Sequence, residues 1–335
     1  MIHITILALK NAVMSTITDS RYVFQMVNHF LQQAGQAPLF EIKLVGLTSE
    51  VQSDQGLYTL HPQLQLDQVT HTDLIIIPSM TGDTMAATNV NKEYITWIAR
   101  QYKNGAAVAS LGVGIFLTAF SGILKGKECT THWLYAQELR YFYPSVKVVE
   151  QKIFTEQQAL YSCGGGISYW NLLLYLVEKH AGRKMAIYTA KYFVLDLDRH
   201  HQSPFAVFHG MKDHKDEAIL RAQEFIEQNY AVKLPVDHLA AQSHLTRRTF
   251  ERRFKKATYL TVVEYIQRVK IEAAKKYLEI GRKSVAEVMA EIGYTDTQSF
   301  RTIFKRITDM TPIDYRNKYN KYNKYNKYNK YNKGQ

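Results

Sequence analysis

Arg248, Glu251, Arg252 and Lys255 recur at three- and four-residue spacing, which stacks them on one side of a helix. At about 100° per residue, Phe250, Phe254 and Ala257 point the other way, toward a core, while Arg247 and Arg253 flank the charged side. The pattern returns further along. Phe300, Phe304 and Ile307 point inward, and Gln298, Arg301, Thr302 and Lys305 point outward, with Thr297 and Ser299 at the head of the same helix. Guanidinium and carboxamide groups can bond two atoms of one base edge, and flanking cations suit phosphate oxygens. A charge run is usually just a solvated face. Two basic faces at equivalent places in a repeated unit argue against that here.

The repeat itself runs from Val236 to Tyr315. Val236-Asp-His-Leu-Ala-Ala answers to Val285-Ala-Glu-Val-Met-Ala, an offset of 49, while Phe250 and Phe254 answer to Phe300 and Phe304, an offset of 50. One extra residue in the second turn accounts for the change. Two short helices and a turn, present twice, make a pair of helix-turn-helix units. Between them a helix is predicted over 262–280, opened by the capping box Thr261-x-x-Glu264 and closed at Gly281, with Ile266, Val269, Ala273, Tyr277 and Ile280 as its apolar face. Ser284-x-x-Glu287 caps the second unit in the same way. At a rise of ~1.5 Å per residue the central helix is roughly 28 Å long, close to the ~34 Å between successive major-groove faces.

A second group of residues stands in the first half, where strands alternate with helices. Strands are expected at 2–9, 40–47, 74–78, 106–111, 145–150, 151–155 and 159–162, and helices at 21–34, 93–103, from about 114, and 178–197. Such alternation predicts a flavodoxin-like parallel sheet in an α/β domain, with ligands beyond the carboxyl ends of the strands. Three loops lie there, at 78–83, 110–114 and 162–166. Candidate ligand contacts are Gly112, Val113, Gly114, His132, Trp133, Cys163 and Gly164. In the middle loop the N–H groups of Val113 and Gly114 are expected to aim into the crevice at a helix's positive end, where a carboxylate or other anion would be welcome. His132 beside Trp133 reads equally well as a packed structural residue, and Cys163 reads better as a small buried residue than as a reactive thiol.

Composition bounds the rest. The chain has 335 residues, enough for two domains, and its charge is lopsided: 18 Lys and Arg against 16 Asp and Glu in residues 1–215, but 24 against 14 in residues 216–335. That is the footprint of polyanion binding by the C-terminal part. Two cysteines give no disulfide framework and fit a reducing, cytoplasmic setting. The N-terminal apolar run lacks a basic leader, so it reads as a strand, and no run is long enough to span a membrane. No metal-binding spacing occurs, His200 and His201 included, and no cofactor is expected. The divisions are expected at 1–200, a linker at 201–216 whose polar core is 210–216, an all-α domain with two helix-turn-helix motifs at 217–317, and a tail at 318–335. In the helix opening the all-α domain, Ile219, Ala222, Phe225 and Ile226 form the core face. The tail, an Asn-Lys-Tyr repeat with nothing aliphatic to bury, is expected to be disordered.

Thr246-Arg-Arg-Thr-Phe-Glu-Arg-Arg-Phe-Lys-Lys-Ala-Thr, the Glu264-Tyr-Ile-Gln-Arg-Val-Lys run, Ile292-Gly-Tyr-Thr-Asp and Thr311-Pro-Ile-Asp-Tyr-Arg resemble the AraC/XylS regulator DNA-binding domain over about a hundred residues. Tyr259 stands where that family usually has Gly, which predicts a reshaped turn. Arg301-Thr302 reverses the family's small-then-Arg order. The stretch from Ala107 through Gly112-Val-Gly to Lys127, followed by Thr130-Thr-His132-Trp133, resembles the class I glutamine amidotransferase-like (PfpI-type) domain. There the resemblance implies a cysteine nucleophile on a tight turn, assisted by a His. This chain has Gly112 in the cysteine's place, and no acid in the loop from Ala12 to Thr16. Without a thiolate there is no covalent acyl chemistry, so the chain is expected not to be an enzyme.

The two resemblances together imply a transcription regulator steered by a small-molecule effector; the resemblance favours activation and leaves repression open. Double-stranded DNA, that effector and a second copy of the chain are the expected partners, with RNA polymerase a further candidate. Two alternatives stay open: a PfpI-type hydrolase or hydratase with a DNA-binding appendage, and a constitutive DNA-binding protein whose N-terminal domain only dimerises.

Overall fold

The computed structural model describes residues 1–53, 56–195 and 201–320. His200 and the tail beyond Asn320 lie outside the described residues. The chain divides into two compact units, one ending at Gln202 and the other starting at Ser203.

The first unit runs β1 (Ile2–Leu7), α1 (Met14–Gln33), β2 (Phe40–Gly46), β3 (Val51–Ser53), β4 (Tyr58–Leu60), β5 (Leu64–Gln65), β6 (Leu74–Ile77), α2 (Thr84–Val90) and α3 (Glu93–Lys103). It continues through β7 (Ala107–Ser110), α4 (Ile115–Phe120), β8 (Glu128–Cys129), α5 (Ala136–Phe142), β9 (Lys147–Val148), β10 (Phe154–Gln157), β11 (Leu160–Cys163), α6 (Tyr169–Ala181) and α7 (Arg183–Tyr192). Among the described residues one sheet has seven strands in the order β10-β11-β7-β6-β1-β2-β5. Its pairings are parallel except β10 with β11. β6 is Leu-Ile-Ile-Ile, every residue buried, as a central strand covered on both faces must be. The chain moves outward from β1 on one side through β2 and on the other through β6 and β7, so the sheet's switch point lies at β1 and β6.

Four expectations change. The first helix begins at Met14 rather than residue 21, because Thr16, Ile17 and Ser20 are already buried against the sheet. The stretch 178–197 is not one helix: α6 starts at Tyr169, and Gly182 at φ 86 separates it from α7. The strand expected at 145–150 shrinks to β9, Lys147–Val148, paired only with β8 in a separate two-stranded sheet. The last two strands pair antiparallel, joined by Gln158 and Ala159 at φ 52 and 59, the twist a two-residue hairpin requires.

The second unit is helical: α8 (Glu217–Gln228), α9 (Val236–Gln242), α10 (Arg247–Thr258), α11 (Val262–Ile280), α12 (Val285–Glu291), α13 (Thr297–Thr308) and α14 (Pro312–Tyr319). The 203–216 segment, expected as a linker, is tied to these helices. Lys275 Nζ donates to Ala206 O at 2.5 Å, Glu272 accepts the Phe208 N–H at 3.1 Å, and Lys212 pairs with Glu227 at 2.6 Å. The last helix runs to Tyr319, past the expected edge of the tail.

Two small cores share α11. Its first half gives Val262, Tyr265 and Val269 to a core with Ile219, Leu239, Phe250 and Phe254, and its second half gives Ile271, Ala274 and Leu278 to one with Val288, Ile292, Phe300 and Phe304. The expected single face is therefore replaced by two: Val269 and Ala273 are buried, Ile266 and Tyr277 half-buried, and Ile280 is 53% exposed. A helix packed by different partners at its two ends cannot keep one stripe.

Candidate functional site

The duplication is repeated in detail around the two reading helices. Thr246 and Asp296 cap α10 and α13 by accepting the N–H of Thr249 and Ser299. Phe250 and Phe254 lie 5.6 Å apart, as do Phe300 and Phe304. Tyr265 stands edge-on to Phe254 and donates to Glu227 at 2.7 Å; Tyr315 stands edge-on to Phe304 and donates to Glu279 at 2.7 Å. Tyr259 and Asp309 end the helices in the left-handed conformation, at φ 59 and 60, their N–H groups on Lys255 O and Lys305 O. Tyr259 thus holds the turn it was expected to reshape. Between the short helices, the turns place His244 and Gly293 at φ 52 and 70.

Fixed this way, α10 exposes Arg247, Arg248, Glu251, Arg252 and Lys255, and α13 exposes Thr297, Gln298, Ser299, Arg301, Thr302 and Lys305. Arg248, Arg252, Lys255, Arg301 and Lys305 have no ion pair among the described residues. Arg247 is engaged with Asp237 at 3.0 Å and Glu251 at 3.2 Å. Arg253, expected as a flanking DNA-contacting cation, is half-buried and bound to both carboxylate oxygens of Asp216, at 2.6 and 2.9 Å. Gln298, Arg301, Thr302 and Lys305 line a cleft of about 410 Å³ together with Thr311, Pro312 and Ile313. Lys270, which sequence reasoning did not single out, is buried behind the second turn, donating to Ile292 O at 2.9 Å and Gly293 O at 3.3 Å. Burial without a carboxylate partner lowers its pKa.

In the first unit the loops after β1, β6, β7 and β11 meet at the carboxyl ends of their strands, around a crevice of about 350 Å³. Val13, Thr16, Ser79, Thr81, Gly112, Val113, His132, Tyr135, Gly164 and Tyr169 are among its lining. Trp133, Gly114 and Cys163 are not. Cys163 ends β11, fully buried; burial pushes its thiol up to about 12, against a hydrogen bond from the Gly112 N–H. That is no reactive sulfur.

The N–H groups expected to face the crevice are turned to other work. Val113 N–H donates to Ser79 Oγ at 3.2 Å, and Gly114 N–H to Leu111 O at 2.9 Å. Gly112 adopts φ +51, and a Cβ there would lie 2.9 Å from Ser79 Oγ. Ser79's hydroxyl therefore occupies the space beside the turn. No local pattern signals it, since Ser79 belongs to a different loop. His132 is half-buried, and burial lowers its pKa, disfavouring the charged ring. Its Nδ1 accepts the Leu134 N–H at 3.1 Å, which leaves the proton on Nε2. Behind the 164–165 loop, Gln202 donates to Thr131 O at 2.7 Å and accepts the Gly165 N–H at 3.3 Å. No Lys, Arg, Asp or Glu lines the crevice among the described residues. Its lining offers hydroxyls, an imidazole and aromatic edges.

Known proteins agree with this division. Residues 24–178 match the DJ-1/PfpI family, and residues 239–318 match a helix-turn-helix domain family. The chain joins a DJ-1/PfpI domain to an AraC-type helix-turn-helix domain. The HTH-type transcriptional regulator GbdR of Pseudomonas aeruginosa is 22% identical over 271 residues, covering 80% of this chain and 72% of that one. The bifunctional transcriptional activator/DNA repair enzyme AdaA of Bacillus subtilis is 38% identical over 93 residues, 28% of this chain and 44% of its own. A Vibrio parahaemolyticus structure described as a candidate transcriptional regulator superimposes with a TM-score of 0.51 at 18% identity, over 57% of this chain and 98% of that one, which supports the fold. No group of three or more His, Cys, Asp or Glu could hold a metal among the described residues, and none of their helices is long and apolar enough to cross a membrane.

Proposed function

We propose that this chain is a sequence-specific DNA-binding transcriptional regulator whose DJ-1/PfpI-type domain senses a small molecule and carries out no thiol chemistry. The observation that carries the reading is the pair of matched helices, α10 and α13, each capped, each anchored by two buried Phe, and each presenting unpaired cations outward. Arg248, Arg252, Gln298 and Arg301 would meet base edges, and Lys255 and Lys305 the phosphates. The similarity to the transcriptional regulators GbdR, ArgR and GlxA supports the reading.

The crevice is the effector site in this reading. Gly112 leaves no nucleophile on the turn, and Ser79 has a backbone N–H, not His132, as its partner. A second copy of the chain and RNA polymerase complete the proposed partners. A panel of small polar metabolites tested by thermal shift on the full chain checks the sensing role. A ligand at a hundredfold excess over its Kd stabilises by about 2.7 kcal/mol, and filling the crevice with Ser79→Phe should abolish the shift. A ligand whose shift survives that substitution binds elsewhere, and the crevice loses the role.

A further inference from the structure

A second cationic surface lies beside the first reading helix. A cleft of about 550 Å³ is lined by His214, Lys215, Asp216, Arg252, Arg253 and Lys256, between the segment entering α8 and the flank of α10. The carboxylate in that lining is already committed. Asp216 caps α8 through the Ile219 N–H at 3.3 Å and accepts two hydrogen bonds from Arg253. His214 is fixed as well, with Nε2 2.8 Å from Gln223 Oε1 and Nδ1 accepting the Asp216 N–H at 3.2 Å; Gln223 is fully buried. The walls are therefore held from the core. Lys215, Arg252 and Lys256, exposed on those walls, have no ion pair among the described residues.

The duplication does not explain this cleft. At the offset of 50, Thr302, Ile303 and Arg306 stand for Arg252, Arg253 and Lys256, and Arg306 is bound to Gln267 at 2.5 Å. The first helix-turn-helix keeps free cations on that flank together with a carboxylate strut, and its repeat does not.

We infer that this cleft seats a backbone phosphate of the duplex, with Lys215 and Lys256 as its ligands and Arg253 as a positioning residue that holds the 214–216 segment in place. The inference rests on the DNA-binding reading and extends it beyond the outward faces of the helices. Ammonium groups are point charges without a fixed fork, suited to phosphate oxygens and indifferent to base identity. Asp216 is neutralised by its own arginine, so among the described residues no uncompensated carboxylate lines the cleft to repel an anion.

The test uses the full chain and a duplex selected by it from a random library. Failure to enrich any duplex would end the DNA-binding reading and this inference together. On the selected duplex, Lys215→Gln/Lys256→Gln is expected to flatten the slope of log affinity against log salt by about 0.9, the contribution of one neutralised phosphate, with base preference unchanged. Phosphate ethylation at one edge of the site should block the wild type and leave the double variant indifferent. Arg253→Gln should reproduce part of the loss without changing base preference. An unchanged slope, or an interference pattern shared by wild type and double variant, overturns the phosphate site while leaving the selected duplex, and so the DNA-binding reading, intact.

Discussion

Ser79 Oγ stands 2.9 Å from the point where a side chain on Gly112 would begin, and it accepts the N–H of the next residue, Val113, at 3.2 Å. Two loops far apart in sequence thus close one turn between them. The glycine removes the nucleophile, and the serine takes up the donor that would otherwise point into the crevice. The result is a pocket lined by hydroxyls, with no Lys, Arg, Asp or Glu among its described lining residues.

Restoring a thiol at this turn should not restore chemistry. Gly112→Cys places a β-carbon at φ +51 and against Ser79, and left-handed backbone costs a side chain about 1–2 kcal/mol. The variant is expected to melt several degrees lower, with a slow thiol toward a disulfide reagent. Adding Ser79→Gly should recover part of the stability by removing the clash. A Gly112→Cys protein as stable as wild type, with a fast thiol, would contradict the geometry.

The Arg253–Asp216 pair gives a pH signature. Hydrogen bonds from Arg253 are the leading cause holding the Asp216 carboxyl below its usual range. A depressed carboxylate pKa contributes stability that is fully present above the unfolded value, about 3.9, and is lost as pH falls through the folded value. Arg253 is 35% exposed, so the pair is worth at most about 1 kcal/mol. Denaturant melts should show Arg253→Gln less stable than wild type at pH 7, and the gap closing in acid below about pH 3.9. A gap that persists undiminished about one and a half units lower would assign the cost to packing.

Lys270 is expected to matter more than its absence from both reading faces suggests. Lys270→Met leaves Ile292 O and Gly293 O without their donor, a cost of about 1–3 kcal/mol less what the added apolar packing returns. Burial lowers its pKa, so wild-type stability relative to the Met variant should rise as pH climbs from the folded value toward about 10.4. Thermal melts across that range check the sign.

The helical unit is legible in the sequence because its signals are local. Thr261 and Gly281 mark the ends of α11 where they fall in the structure, and the Phe spacing fixes which sides of α10 and α13 are buried. Residue type alone misjudges Tyr259, since a turn imposed by packing on both sides of Thr258 tolerates a non-glycine at φ 59. The start of α6 is hidden because Leu172, Leu173, Leu174, Leu176 and Val177 are buried on nearly every side, which erases the periodicity. The long-range pairs are out of reach altogether. Nothing near Gly112 announces Ser79, and nothing near Arg253 announces Asp216, 37 residues away.

Base readout separates the outward arginines from the flanking lysines. Arg252→Ala should relax the preference at one or two positions of a selected site, at about 1–3 kcal/mol for each bidentate pairing with a base that disappears. Lys255→Ala should weaken all sequences alike. Equal effects of the two on sequence preference would mean that α10 meets DNA on another side.

The most direct measurement is selection of duplexes from a random library by the purified full chain at physiological salt, followed by sequencing of the bound pool. Two enriched boxes about one helical turn apart are expected, one losing definition with Arg252→Ala and the other with Arg301→Ala. A pool no different from the starting library, with and without added metabolites, would contradict the account.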